Sequence, residues 1–84
     1  MNLIPLRRMA VGQTGAIARV KGGGALGGRL REMGLVPGAE VLIVGRAPLN
    51  DPVHIKLHDY DLTLRNNEAD HILVNVPETV EGGP

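Results

Sequence analysis

The pattern of apolar positions changes near residue 25, where the period of a strand gives way to that of a helix. Before this point, residues 16–20 form a short apolar run that predicts a strand. The three-residue spacing of Ile17 and Val20 predicts a bulge or a strong twist in it. Beyond it, apolar side chains recur on one helical face at Leu26, Leu30 and Met33. Gly34 stands where a helix C-terminus favours positive φ, so we expect the helix to end there.

After residue 37 the pattern is that of short strands. Residues 40–46 are aliphatic on both faces and predict a central strand. Residues 53–57 alternate between apolar and polar side chains and predict a half-buried strand. The remaining segments predict, in order, a strand at 62–65, a single helical turn at 66–70 and a last alternating strand at 72–76.

These elements predict a mainly β fold, a small SH3-like barrel of about five strands with one short α-helix inserted after the first long strand. We expect the barrel to be closed or nearly closed, because closure removes the exposed edges of a small sheet. Residues 1–76 would form this single domain, and residues 77–84 would form a disordered C-terminal tail.

The amino-acid composition argues against several classes of function. The 84 residues carry nine basic and nine acidic side chains, so no nucleic-acid partner is expected, because such binding needs uncompensated positive charge. Tyr60 is the only aromatic residue, which removes the stacking platforms of single-strand binders. The longest aliphatic run, residues 41–44, is far shorter than the ~20 residues that span a bilayer. The first residues lack the apolar stretch of a signal peptide, so we expect a cytoplasmic protein.

A glycine pattern, Gly22-x-Gly24-x-x-Gly27, follows a predicted strand and opens a predicted helix, as a dinucleotide-binding fingerprint does. The rest of a doubly wound sheet is absent from the sequence pattern, which favours a loop with room for close helix packing. A nucleotide-binding enzyme is therefore the weakest hypothesis. The chain has no serine or cysteine, and no nucleophile–base set is evident, so we expect no enzymatic activity.

Three histidines raise the question of a metal. His54 and His58 lie four apart in a predicted strand, about 13 Å from each other, so they cannot share one ion without a fold in the chain. The better cluster is His58, Asp59 and Asp61 around a reversal, where solvated surface residues are the other interpretation. No cofactor is required, and weak Fe(II) or Zn(II) binding stays open.

A series of motifs resembles the FeoA family, the small cytosolic component of the bacterial ferrous iron transport system. The motifs, in family order, are Leu3-x-x-Leu6, Gly12-x-x-Gly15-x-Ile17, Arg29-Leu30-x-x-Met33-Gly34-Leu35-x-Pro37-Gly38, Ala47-Pro48-Leu49-x-Asp51-Pro52 and Leu64-Arg65-x-x-Glu68-Ala69-x-x-Ile72-x-Val74. The chain departs from the family at Asn50, where glycine is usual, and at residues 59–61, where a glycine-containing turn is common.

The resemblance implies an SH3-like barrel, a non-enzymatic role, and a partner: the membrane permease FeoB with its cytosolic GTP-binding domain. The protein would then meet the membrane only through that partner. The same fold forms the C-terminal module of DtxR-type metal-dependent repressors, whose helix-turn-helix this chain lacks. A small metal carrier or sensor is therefore the alternative function. A homo-oligomer is also possible.

Two segments are candidates for the partner surface. One is the exposed side of the helix, with Arg29, Arg31 and Glu32, although such charges are also typical of a solvated face. The other is the proline-flanked loop with Leu49 and Asp51, where the leucine either tucks under the barrel or stands exposed. Proline-peptide binding is not expected, because one tyrosine cannot build the aromatic groove it needs.

Overall fold

The computed structural model describes residues 2–49, 51–58 and 60–77. Within them the chain forms, in order, β1 (Asn2–Pro5), a 3₁₀ turn (Leu6–Arg8), β2 (Thr14–Val20), α1 (Gly24–Glu32), β3 (Glu40–Arg46), β4 (Val53–Leu57), β5 (Tyr60–Leu64), α2 (Asn66–Ala69) and β6 (Ile72–Val76). The mainly β prediction with one inserted helix is confirmed, with six strands instead of five. Of the predicted tail, 77–84, only Pro77 lies within the described residues, so its disorder stays a prediction.

The six strands form one antiparallel sheet in the order β1-β6-β2-β3-β4-β5. β1 is the strand that the pattern missed, and it pairs with β6 from Asn2 opposite Val76 to Pro5 opposite Leu73. The ladder among the described residues runs from β1 to β5 without joining those two edges. The sheet is therefore open, which corrects the expectation of a closed or nearly closed barrel. The predicted bulge in β2 is confirmed, because the register against β6 shifts between Ile17 and Arg19.

The core is built from aliphatic side chains and one methionine. Each large side chain removed from water contributes roughly 1.5–3 kcal/mol, so a small core of this kind can hold the sheet together. Alternating burial along β4 and β6 agrees with the predicted half-buried strands. The large side chains that are almost fully buried are Leu6, Met9, Ile17, Leu30, Leu35, Val41, Ile43, Val53, Ile55, Leu57, Leu64 and Ile72.

The end of α1 is set by its glycine, as the pattern predicted. Gly34 has φ +97°, and its N–H donates to the carbonyl of Arg31 at 3.0 Å. The N–H of Leu35 reaches back to the carbonyl of Leu30 at 3.2 Å, which completes a Schellman motif. Leu30 and Leu35 are both buried, so the motif also fixes α1 against the core. Neither helix in the described part of the chain is long and apolar enough to cross a bilayer.

The glycine pattern before and within α1 is explained by close backbone contact. A Cβ on Gly27 would lie 2.9 Å from the carbonyl oxygen of Gly22, too close for any side chain. Gly22 and Gly24 both have positive φ, at +77° and +73°. These contacts support the interpretation of the pattern as a loop that allows close helix packing.

Candidate functional site

The first candidate surface lies on the last turn of α1. Arg29, Arg31 and Glu32 are exposed there. The guanidinium of Arg29, however, also forms an ion pair with Glu68, whose side chain is only 11% exposed. Arg29 therefore has a structural contact, whereas Glu32 is free to meet a partner as far as the described residues show.

Glu68 connects the two helices. Its Oε2 accepts from Nη2 of Arg29, and its Oε1 accepts the backbone N–H of Arg65 at 2.8 Å. The second bond is the carboxylate half of a capping box, which satisfies one of the unpaired N–H groups before α2. A carboxylate this buried needs such partners, because an unpaired buried charge is costly. Glu68 thereby fixes the position of α1 relative to α2.

The second candidate surface is the loop between β3 and β4. The N–H of Ala47 donates to the carbonyl of Pro52 at 3.1 Å and closes the loop. Leu49 stands at 88% exposure, which decides between its two predicted placements. Asp51 turns inward: its Oδ1 accepts the N–H of Asn66 at 2.9 Å, and its Oδ2 lies 3.9 Å from Nη1 of Arg65.

α2 supports both candidate surfaces. Asn66 at its first position holds the loop through Asp51, and Glu68 two residues later holds α1 through Arg29. Sequence reasoning had proposed Arg29 and Asp51 as partner contacts, and the structure gives each an intramolecular contact as well. It had not singled out Glu68, although the Leu64-Arg65-x-x-Glu68-Ala69 motif contains it. The two surfaces thus have a common support four residues long.

A cleft beside the loop is a further feature that sequence reasoning missed. It has a volume of about 550 Å³ and is lined by Arg7, Arg8, Met9, Arg46, Leu49 and Asn66; we call it the arginine cleft. Leu6 and Met9 are buried, with exposed fractions of 0% and 1%, and the residues between them, Arg7 and Arg8, are exposed. The adjacent arginines at 7 and 8, and the arginine preceding Ala47-Pro48-Leu49, were the available sequence signals.

Two hydrogen bonds and one ion pair order this cleft. Nη2 of Arg46 donates to the carbonyl of Arg7 at 2.5 Å and to that of Met9 at 2.9 Å. Nη1 of Arg7 pairs with Oδ2 of Asp70 at 2.9 Å, which ties the 3₁₀ turn to the end of α2. The cleft is therefore attached to the same helix as the two candidate surfaces.

The two candidate metal ligands that the structure describes, His58 and Asp61, have different neighbours. Asp61 lies 3.5 Å from Nε2 of His54, on the neighbouring strand. His58, at φ +49°, lies at a groove that Glu40 and Lys56 also line. Asp59 is outside the described residues. Among the residues that are described, no three histidine or carboxylate side chains are grouped so that they could hold an ion, so the cluster of His58, Asp59 and Asp61 stays a prediction.

The chain is similar in sequence to proteins of one known family. The family model of the FeoA domain matches residues 4–76. A curated relative from Porphyromonas gingivalis, the Fe(2+) transport protein A/Fe(2+) transporter FeoB fusion protein, is 38% identical over 71 residues. The aligned region is 84% of this chain but only 8% of the fusion protein.

Solved structures support the fold. The NMR structure of a FeoA-like protein from Clostridium acetobutylicum is 30% identical, with a TM-score of 0.87 over 96% of this chain and 94% of that one. Zinc-complexed FeoA from Stenotrophomonas maltophilia, described as a procaryotic SH3 domain protein, is 26% identical, with a TM-score of 0.76 over 86% and 89% of the two chains. The predicted SH3-like class is confirmed.

The same fold occurs within metal-dependent repressors. A manganese-dependent transcriptional repressor is 16% identical, with a TM-score of 0.80, and the match covers 89% of this chain and 42% of the repressor. At this identity the likeness concerns the fold alone.

Proposed function

Because the chain belongs to the FeoA family, we propose that it is a non-enzymatic accessory protein of ferrous iron uptake that binds a FeoB-type permease through the permease's cytosolic GTP-binding domain. The observation that carries this proposal is the relative in which a homologous segment is fused to a FeoB transporter. Fusion of two proteins in one chain favours their acting together, since it gives them a high effective concentration. The protein would act in the cytoplasm, at the membrane only through this partner.

The binding surface we propose comprises the exposed turn of α1, with Arg29, Arg31 and Glu32, and the loop with Leu49 and Asp51. Leu49 is its apolar anchor, because a leucine at 88% exposure loses much contact with water when a partner covers it. Arg29 and Asp51 contribute mainly by holding these segments on α2, through the contacts described above. A preformed surface of this kind binds with less loss of conformational entropy than a mobile one.

The test is binding of the full chain to the purified GTP-binding domain and to the detergent-solubilised permease, with and without guanine nucleotide, by isothermal calorimetry. We expect a complex that Leu49→Asp weakens by about tenfold, because a charge would replace the apolar anchor. Leu3→Asp is the matched control: Leu3 is 55% exposed on β1, a strand that belongs to neither segment, and its replacement should leave the affinity unchanged. Absence of any complex with either form of the partner would overturn the proposal.

A metal carrier or sensor is the second candidate, and the observation that favours it is the zinc-complexed relative from S. maltophilia. We propose His58, Asp59 and Asp61 as its ligands. Calorimetric titration with ferrous iron and with zinc, on the wild type and on His58→Ala, tests this function. Micromolar binding that the substitution abolishes would support it, and millimolar or absent binding would remove it.

A further inference from the structure

The arginine cleft contains more positive charge than its own contacts neutralise. Arg46 donates to two backbone carbonyls, and Arg8 makes no ion pair within the described residues. Only Arg7 has a carboxylate partner there, Asp70. Within the described part of the chain, two guanidinium groups therefore stand at one cleft without an ion-pair partner, although the whole chain has a formal net charge of zero.

Both the charge and its setting favour an anionic ligand. Arginine binds carboxylates in a planar, two-pronged geometry, and the bond is strengthened by the opposite charges. The arginines are also held in position: Arg46 by two hydrogen bonds, and the turn that carries Arg8 by the buried Leu6 and Met9. A ligand would therefore meet one guanidinium held in place, that of Arg46, beside a second one, that of Arg8, on an anchored stretch of backbone.

The rim of the cleft is apolar at one point. Leu49 lines the cleft and is 88% exposed, so a ligand that covers it must itself offer an apolar group. Asn66, also in the lining, has a side-chain oxygen that is shielded from solvent and has no hydrogen-bond partner within the described residues. This oxygen can only accept a hydrogen bond and is shielded, so the bonds to a carboxylate ligand come from the arginines.

We propose that the arginine cleft binds an acidic protein segment, with carboxylates on Arg8 and Arg46 and an apolar side chain against Leu49. This inference rests on the proposed function, since it assigns the segment to the permease partner. A protein segment fits better than a nucleic acid, because the chain as a whole is neutral and Leu49 has no role in phosphate binding. A protein segment also fits better than free phosphate, because phosphate has no apolar group to place against Leu49.

The first experiment uses the capped peptide EELEE as the probe, in an amide chemical-shift titration of the full labelled chain at low salt. We expect shifts at Arg7, Arg8, Arg46 and Leu49. Arg8→Glu should lower the affinity by about tenfold, because it replaces an attraction by a repulsion. The matched control is Arg19→Glu, the same charge change on the exposed side of β2, which should leave the affinity unchanged.

Leu49→Asp is the second variant. It should also weaken EELEE binding, and the spectrum of each variant shows directly whether it is folded. Added salt should weaken the complex, because exposed charges are screened. If KKLKK, inorganic phosphate or a single-stranded oligonucleotide at the same concentration gave equal shifts, the proposal of an acidic protein segment as the ligand would be overturned. The absence of EELEE shifts in this cleft would overturn it as well.

Different results would overturn the proposed function and the proposal for the arginine cleft. If the GTP-binding domain and the permease bind the wild type and Arg8→Glu equally well, the assignment of the arginine cleft as the binding site for the partner's acidic segment is overturned. The proposed function then stands. If neither form of the permease binds although EELEE occupies the cleft, the proposed function is overturned, and the cleft accepts acidic segments of some other protein.

Discussion

Glu68 and Arg29, 39 residues apart in the chain, form an ion pair that joins α2 to α1. The pair is asymmetric, because the side chain of Glu68 is 11% exposed and that of Arg29 is 63% exposed. The same carboxylate also accepts the N–H of Arg65. Loss of Glu68 therefore removes two bonds, whereas loss of Arg29 removes one and leaves a shielded carboxylate without its cation.

Replacing Glu68 should destabilise the domain more than replacing Arg29. We expect Glu68→Ala to lower the free energy of unfolding by about 2–3 kcal/mol and Arg29→Ala by about 1–2 kcal/mol. The double variant should lose less than the two single losses added together, by at least ~0.5 kcal/mol, because the residues share one contact. Urea unfolding checks all three. Glu32→Ala on the same helix is the control, and a loss comparable to that of Arg29→Ala would contradict this account.

Adjacent glycines in α1 should respond to alanine in opposite directions. Gly28 has open space around the position of a Cβ, and we expect Gly28→Ala to stabilise the domain by about 0.5–1 kcal/mol through its helix propensity. At Gly27 the carbonyl oxygen of Gly22 is in the way, so Gly27→Ala should lower the stability by about 1–2 kcal/mol. Thermal unfolding of the two variants side by side is the measurement, and a gain in stability for Gly27→Ala would contradict the close backbone contact.

Gly15 allows β2 to lie close against β6. A Cβ there would come within 2.5 Å of Cγ1 of Val74 and 2.8 Å of the carbonyl oxygen of Asn75. We expect Gly15→Ala to cost about 2–3 kcal/mol, because a backbone atom cannot move aside as a side chain can. Gly45→Ala in β3, where nothing lies within 4 Å, is the matched control and should cost nothing. Denaturant midpoints of the two variants make the comparison.

Asp51 should act through its acceptor oxygen more than through its charge. Asp51→Ala removes the bond to the N–H of Asn66 and should lower the stability by about 1 kcal/mol, as loss of a helix cap does. Asp51→Asn keeps an acceptor at the same place and should lose less than half as much. Hydrogen exchange of the Asn66 amide provides a local measurement: we expect faster exchange in the alanine variant alone. Equal losses in both variants would show that the charge, through Arg65, is what matters.

Local sequence patterns predicted most of the fold because most of its elements are locally specified. The helix ends at Gly34 because the chain there must adopt positive φ, and the spacing of Ile17 and Val20 correctly indicated a bulge. β1 was missed because four residues, the last of them a proline, carry no recognisable period. Its strand character comes from pairing with β6, more than sixty residues later.

The candidate surfaces were predicted less completely, for a related reason. The exposure of Leu49 depends on whether the loop folds over the sheet, and this is decided by the bonds from Asp51 and Ala47. The Arg29–Glu68 pair and the arginine cleft join residues that are distant in sequence. Charge patterns can identify such residues as exposed, but only the tertiary structure shows which charges are already paired.

The pairing of β1 with β6 has a consequence for the order of folding. Among the six described strands β1 is synthesised first, yet the strand that it pairs with, β6, is synthesised last. Until Ile72–Val76 is available, Asn2–Pro5 has no partner, and the long separation between them makes this a slow contact to form. We therefore expect the strands from β2 to β5 to assemble before β1 is added, so that the first of the described strands to be synthesised is the last of them to join the sheet.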